Sequence, residues 1–229
     1  MSSIKDNINL IEKNICAACE RSGRERRDVR LVVVSKNQTV ADILCAYECG
    51  IRDFGENRVQ EMLAKMPLLP PDITWHLIGH LQRNKVKDVV GKVALIHSVD
   101  SVRLAEEISK EAGRRSIVQD ILVELNIAGE ETKHGAPPNE APMLVRHLAQ
   151  LSHINIAGLM CIAPYVAQGG ENRPYFSLLS QLLVDIAAKN IDNTNMADFS
   201  NLSMGMTLDY AVAVEEGATM LRIGTAVFV

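Results

Sequence analysis

Between residues 31 and 223 the sequence sets out eight short apolar runs, and a stretch with apolar residues at helical spacing fills each interval between them. The runs are 31–34, 51–54, 74–78, 93–97, 121–126, 156–162, 199–203 and 220–223; the helical stretches are 39–49, 57–65, 84–90, 101–112, 138–151, 175–189 and 208–215. A run such as Leu31-Val32-Val33-Val34 has no polar alternation, as a strand buried on both faces requires. Strand and helix in regular alternation imply a parallel sheet with crossover helices. Eight such units in 229 residues predict closure into an α/β, TIM-type (β/α)8 barrel, with an open doubly wound sheet as the alternative. Ahead of the first run, Ile4, Ile8, Ile11, Ile15 and Ala18 recur at helical spacing, predicting a lead-in helix over 3–20 that closes at Gly23. No Pro/Gly/Ser linker or composition break interrupts the series, so one domain over 1–229 is expected. Its longest loops are placed at 128–138 and 164–173.

Composition narrows the partners. A net charge of −4 offers no basic excess for a phosphate backbone, and no basic block alternates with aromatics, so nucleic acid is not an expected ligand. No basic leader precedes an apolar core, and no run of about 18 apolar residues occurs, so a soluble cytoplasmic protein with no membrane partner is expected. Without a heptad seam, a monomer is expected. Five cysteines do not make a disulfide framework in a chain this long. Cys16 and Cys19 spell C-x-x-C inside the lead-in helix with no second pair to complete a metal site, and they read as small hydrophobes, as do Cys45, Cys49 and Cys161. No metal is expected.

In a barrel the chemistry gathers at the carboxyl ends of the strands. There the sequence places Ser35-Lys36, Gly55-Glu56-Asn57, Gly79-His80, Ser98-Val99-Asp100, Glu124-Leu125-Asn126, Ser203-Met204-Gly205 and Arg222-Ile223-Gly224-Thr225. Lys36 ends the Val-Val-Val run, and an amine that loses solvation there becomes a neutral nucleophile capable of forming an imine; the bland alternative is a lysine solvated at the rim. Barrels often build phosphate sites after strands seven and eight. Ser203-Met204-Gly205-Met206-Thr207, with a helix beginning near Leu208, and Gly224-Thr225 suit that purpose. Arg222 lies two residues before Gly224 and therefore on the same face. An arginine facing a pyridine nitrogen cannot hand over its proton, whereas an aspartate would hold that nitrogen protonated; the alternative for Arg222 is a barrel-internal ion pair.

These residues lie in longer motifs: VSKNQTV at 34–40, FGENRVQE at 54–61, WHLIGHLQRNK at 75–85, NIAGEETKHG at 126–135, GLMCIAP at 158–164, SMGMTLDY at 203–210 and RIGT at 222–225. Over nearly the whole chain, from about residue 30 to 228, the sequence resembles the pyridoxal phosphate homeostasis proteins, relatives of the alanine racemase N-terminal barrel. The resemblance implies pyridoxal 5′-phosphate (PLP) as cofactor, carried as a Schiff base on Lys36, with Asn57 beside the ring and Arg222 facing its nitrogen. It implies a phosphate held by Ser203, Gly205, Gly224 and Thr225, with a backbone N–H from Met204. The implied role is storage, buffering or delivery of PLP, with apo PLP-dependent enzymes as recipients and no catalysis. Two departures stand out: the family continues past the RIGT segment, where this chain stops at Phe228-Val229, and Thr207 stands where serine is common.

Two enzymatic alternatives share the lysine. A racemase needs a base on each face of the substrate carbon, and Lys36 serves one. In related racemases a second domain supplies an opposing tyrosine, and of Tyr47, Tyr165, Tyr175 and Tyr210 only Tyr165 is placed to substitute. A Schiff-base aldolase acting on a phosphorylated substrate would use Lys36 and the same phosphate loops.

Overall fold

The computed structural model describes residues 3–130, 132–165, 168–189, 196 and 199–229. Residue 131 of the first expected long loop and residues 166–167 of the second lie outside them. Eight parallel strands close on themselves in chain order: β1 (Arg30–Val34), β2 (Asp53–Glu56), β3 (Thr74–Leu77), β4 (Leu95–Val99), β5 (Gln119–Leu125), β6 (Ile154–Cys161), β7 (Asn201–Ser203) and β8 (Met220–Ile223). The closing seam pairs Val32 with Arg222 and Val33 with Ile223. The expected closed barrel is therefore what forms, and the open sheet is not.

Alternation along each strand splits the apolar residues into two sets. Val33, Phe54, Leu77, Ile96, Ile121 and Leu159 face outward and join the helices in one continuous core. Leu95, Leu122, Ala157, Met160 and Met220 form a small separate cluster inside the barrel. That inner cluster is too small to fill the interior, and buried polar residues, His76, His97, Ser203 and Arg222 among them, accompany it. Irregularities re-aim strands where β4 meets β5 and where β5 meets β6. At the second, Gly158 has φ +150°, and a Cβ there would lie 2.0 Å from the Asn201 carbonyl oxygen, so only glycine lets β6 approach β7.

The helices are α1 (Ile4–Arg21), α2 (Val40–Glu48), α3 (Val59–Lys65), α4 (Val86–Val89), α5 (Val102–Arg114), α6 (Ala141–Leu148), α7 (Arg173–Ala188), α8 (Tyr210–Glu215) and α9 (Thr225–Phe228). The expected lead-in helix is α1, opened by a reciprocal capping box between Ser3 and Asp6. It packs on α8 and α9, where Asn14 Nδ2 donates to the Tyr210 hydroxyl at 2.9 Å and Arg21 pairs with Glu215. Several boundaries differ from the sequence expectation. The second strand starts at Asp53, two residues later than expected, and includes Gly55 and Glu56. The helix expected from Leu208 starts at Tyr210, because the Asp209 carboxylate accepts from the Met206 N–H at 2.7 Å and holds 206–209 as a turn. Thr225–Phe228 form α9, an element not among those expected. Among the described residues no helix is long and apolar enough to cross a membrane.

Candidate cofactor site at the carboxyl end of the barrel

Lys36 is positioned from behind. The buried Lys65 of α3 donates from Nζ to the Ser35 carbonyl at 2.7 Å, to Glu56 Oε1 at 2.8 Å and to Glu61 Oε1 at 2.6 Å. The Ser35 hydroxyl donates to the same Glu56 oxygen at 2.7 Å, and the Asn37 N–H donates to Glu61 Oε1 at 2.6 Å. Both neighbours of Lys36 are thus fastened to one ion cluster, with Asn37 held at φ +60°, a left-handed conformation that asparagine tolerates. Burial pushes the Glu56 carboxyl above its usual range, against the hydrogen bonds from Lys65 and Ser35. Lys36 itself leaves the barrel and is exposed. The desolvation argued from the valine run stops at Ser35, which is fully buried, because Lys36 stands in the turn that follows the strand.

Asn57 follows β2 with its backbone pressed against the end of β3: a Cβ on Gly79 would lie 2.3 Å from the Asn57 carbonyl oxygen. Gly79 is therefore a close-approach glycine, and its own carbonyl accepts from the Ser98 hydroxyl at 2.7 Å. Across the seam, a Cβ on Gly224 would lie 3.1 Å from the Val34 carbonyl oxygen, so the end of β8 lies directly beside the chain that leads to Lys36.

The phosphate-suited loops do meet, though not through all the residues expected. The Arg222 N–H donates to the Gly205 carbonyl at 3.0 Å, and the Ala226 N–H approaches Thr207 Oγ1 at 3.4 Å. Gly205 has φ +90°, and a Cβ there would meet that of Ala213 at 2.5 Å. Thr225 is exposed beside Gly224. The Ser203 hydroxyl is buried and committed to Arg222 at 2.5 Å and to His97 Nδ1 at 2.8 Å, so it faces the barrel interior and not the mouth. The Met204 N–H donates to the Met220 carbonyl at 3.1 Å within the sheet and is not free for an anion. Ser203 is the last residue of β7, and its pleat points it to the interior. The hydroxyl that reaches the Gly224–Ala226 turn is that of Thr207. Its position beyond Gly205, in the turn outside the strand, was the available signal.

Arg222 is buried on the inner face, donating to Ser203 Oγ and, at 2.8 Å, to the Cys161 carbonyl. Burial pulls its guanidinium below its usual value, while the charges of Glu124 and Asp209 act the other way. Glu124, near the end of β5, was placed at the mouth from the sequence but given no role there. It is buried, and burial together with the negative charge of Asp100 pushes its carboxyl up to about 7, with Arg222 opposing.

The remaining polar residues at the mouth hold one another. Lys133 Nζ donates to Glu130 Oε1 at 2.6 Å and to the Ala163 carbonyl at 3.2 Å, joining the loops after β5 and β6. Asn126 Nδ2 donates to the Glu130 carbonyl at 2.8 Å. His80, Asp100 and His134 bring possible ligand atoms within 4.8 Å of one another. The two imidazoles, however, stack with centroids 3.9 Å apart and planes 12° apart. A metal lies in the plane of each ring that ligates it, and two stacked rings share no in-plane point. Cys161 is buried, with its thiol pushed up to about 12 by burial, consistent with its reading as core; Cys19 is buried as well, whereas Cys16, Cys45 and Cys49 are only partly so. Of the tyrosines, Tyr47 bonds Asp72, Tyr210 bonds Asn14, Tyr175 packs against the core and Tyr165 is 90% exposed.

The family model for the alanine racemase N-terminal domain matches residues 7–229. The pyridoxal phosphate homeostasis protein of Aquifex aeolicus (strain VF5) is 43% identical over 224 residues, covering 97% of this chain and 96% of that protein. The human pyridoxal phosphate homeostasis protein is 39% identical, covering 96% of this chain and 84% of its own. The chain belongs to the pyridoxal phosphate homeostasis protein family. The solved structures share the fold. PipY of Synechococcus elongatus PCC7942, solved with PLP bound, superposes with a TM-score of 0.82 at 35% identity, covering 99% of this chain and all of that one. Alanine racemase from Clostridium difficile 630, at 16% identity and a TM-score of 0.70, shares the fold; the chain covers 59% of its length.

Proposed function

We propose that this chain binds PLP covalently through the Lys36 amine and takes part in holding the cofactor and passing it on. One observation carries the reading: an exposed lysine, fastened on both sides, emerges beside Gly224, in the same mouth as the buried Arg222 and the Gly205–Thr207 turn. These residues fit the cofactor. The two loops suit its phosphate, Arg222 suits an unprotonated ring nitrogen, and Asn57 lies beside the ring. When bound, PLP supplies an aldehyde that condenses with a primary amine. Gly205, Thr207, Gly224 and Thr225 would hold the phosphate; Ser203 would act on Arg222 instead, and Met204 would have no direct part. The relatives named above are called homeostasis proteins, which favours holding and transfer over turnover.

The test is an absorbance spectrum. Purified protein supplied with PLP should turn yellow, and borohydride should fix the cofactor to Lys36; Lys36→Ala should do neither. A colourless wild type that takes up no PLP sinks the proposal. Sustained exchange of an amino-acid α-proton with deuterated solvent would replace it with a racemase. For delivery, an apo PLP-dependent enzyme should gain cofactor from the loaded chain faster than by release and rebinding; equal rates would leave buffering alone.

A further inference from the structure

Inside the barrel a line of polar side chains runs from the mouth to the opposite face. Arg222 donates to Ser203 Oγ at 2.5 Å, Ser203 Oγ lies 2.8 Å from His97 Nδ1, His97 Nε2 lies 3.0 Å from His76 Nδ1, and His76 Nε2 lies 3.0 Å from Asp53 Oδ1. Arg30 stands 3.8 Å beyond, on the same carboxylate. Asp53 is the first residue of β2 and Ser203 the last of β7, so the line crosses the interior between the two ends of the barrel. His76, His97 and Ser203 are fully buried, and the two rings meet edge to face.

With neutral rings between them, the two ends allow one direction for the protons along the line. A guanidinium only donates, and an ionised carboxylate only accepts. With the ring neutral, His76 carries its proton on Nε2 to donate to Asp53, leaving Nδ1 as an acceptor. That acceptor needs a proton on His97 Nε2, which leaves His97 Nδ1 to accept from the Ser203 hydroxyl. The hydroxyl, having donated, accepts from Arg222. Every hydrogen bond then points the same way, from Arg222 to Asp53, with both imidazoles neutral. Burial independently holds His97 well below the usual histidine value, with His76 and Arg222 adding to the effect. Chains of this kind polarise each link in turn, more so where water is excluded.

We infer that Ser203, His97, His76 and Asp53 are positioning residues for Arg222: one directional hydrogen-bond relay holds the guanidinium and ties its charge to a carboxylate on the far face of the barrel. The inference rests on the proposed PLP site in one respect, that Arg222 faces the ring nitrogen. The relay then sets how firmly that nitrogen is kept unprotonated. Asp53 is partly exposed, so the far end of the relay meets solvent at the face opposite the cofactor.

Two measurements test it. The first needs no cofactor: nitrogen-15 histidine spectra of the full chain at neutral pH should show His76 and His97 neutral and protonated on Nε2. A proton on Nδ1 of either ring, or an imidazolium, overturns the relay. The second uses PLP as probe with Asp53→Leu, Asp53→Asn and Ser203→Ala. Severing the relay at either end with Leu or Ala should weaken PLP binding about tenfold, the worth of one hydrogen bond to a charged group, and move the absorbance maximum of the bound cofactor. Asp53→Asn, whose Oδ1 still accepts, should restore most of the affinity and the wild-type colour. If the wild type takes up no PLP, the proposed function fails while the nitrogen spectra still decide the relay. Wild-type affinity and colour in both Ser203→Ala and Asp53→Leu would overturn the positioning role. Should Asp53→Leu not fold, the comparison of Ser203→Ala with Asp53→Asn decides.

Discussion

Replacing Glu124 by glutamine would remove a charge while keeping the shape of a side chain that the barrel buries at the end of β5. Its carboxyl is pushed from 4.5 to about 7, by burial first and by Asp100 second. Below about pH 4.5 the carboxyl is protonated in both folded and unfolded chains, and the shift costs nothing. As pH rises through that value, the unfolded chain ionises while the folded chain resists, so the fold loses stability until the pH passes about 7. The gap of roughly 2.5 pH units, at 1.36 kcal/mol each, amounts to about 3 kcal/mol above that pH. A buried amide with incomplete hydrogen bonding gives back about 1 kcal/mol. Glu124→Gln should therefore be more stable than the wild type by about 2 kcal/mol at about pH 8 and less stable by about 1 kcal/mol at about pH 4. In a chain of this size that is a rise of about 4–8 °C in melting temperature at the higher pH. Scanning calorimetry of both cofactor-free proteins at the two pH values reads it directly. A variant no more stable at the higher pH, or equally stabilised at both, would refute the reasoning, because each outcome means that no ionisation penalty is stored at this residue.

Lys65→Met should destabilise the chain by about 3–5 kcal/mol, since it leaves Glu56 buried without its cation, and Lys65→Met with Glu56→Gln should recover much of that; urea denaturation of the pair checks it. Gly79→Ala places a methyl group 2.3 Å from the Asn57 carbonyl oxygen, so the ends of β2 and β3 must part. It should lower both stability and PLP uptake, and an alanine variant with wild-type melting and uptake would contradict the close approach. Thr207→Val keeps the shape but loses the hydroxyl next to Ala226, and should weaken PLP binding about tenfold, as equilibrium titration would record.

The barrel was legible in the sequence because burial on both faces leaves strands such as Leu31–Val34 apolar throughout, and eight such runs between helices favour closure over an open doubly wound sheet. What lay between elements was less so. The displacement of β2 toward Gly55-Glu56 puts a fully buried glutamate in a strand, which composition argues against until Lys65 is seen beside it. Lys36, Arg222 and Gly224 were readable from their places after or near strand ends. Sequence spacing does not say at which residue a strand meets the rim, so neither the inward hydrogen bonds of Ser203 nor the reach of Thr207 to Ala226 could be read from it. His76 and His97 were passed over, since a single polar residue inside an apolar run reads as a tolerated exception. Its meaning depends on three other strands.

The pairing of β1 with β8, and of α1 with α8 and α9, has a consequence for how the chain is made. During synthesis the first helix and strand appear early, yet the surfaces that cover them are built from residues 210–228. Until those residues emerge, one edge of β1 has no neighbour to bond, and the part of α1 that packs on α8 and α9 is uncovered. Closure is therefore the last event and joins contacts separated by nearly the full length of the chain, an arrangement that slows folding and leaves the nascent chain reliant on protection from aggregation.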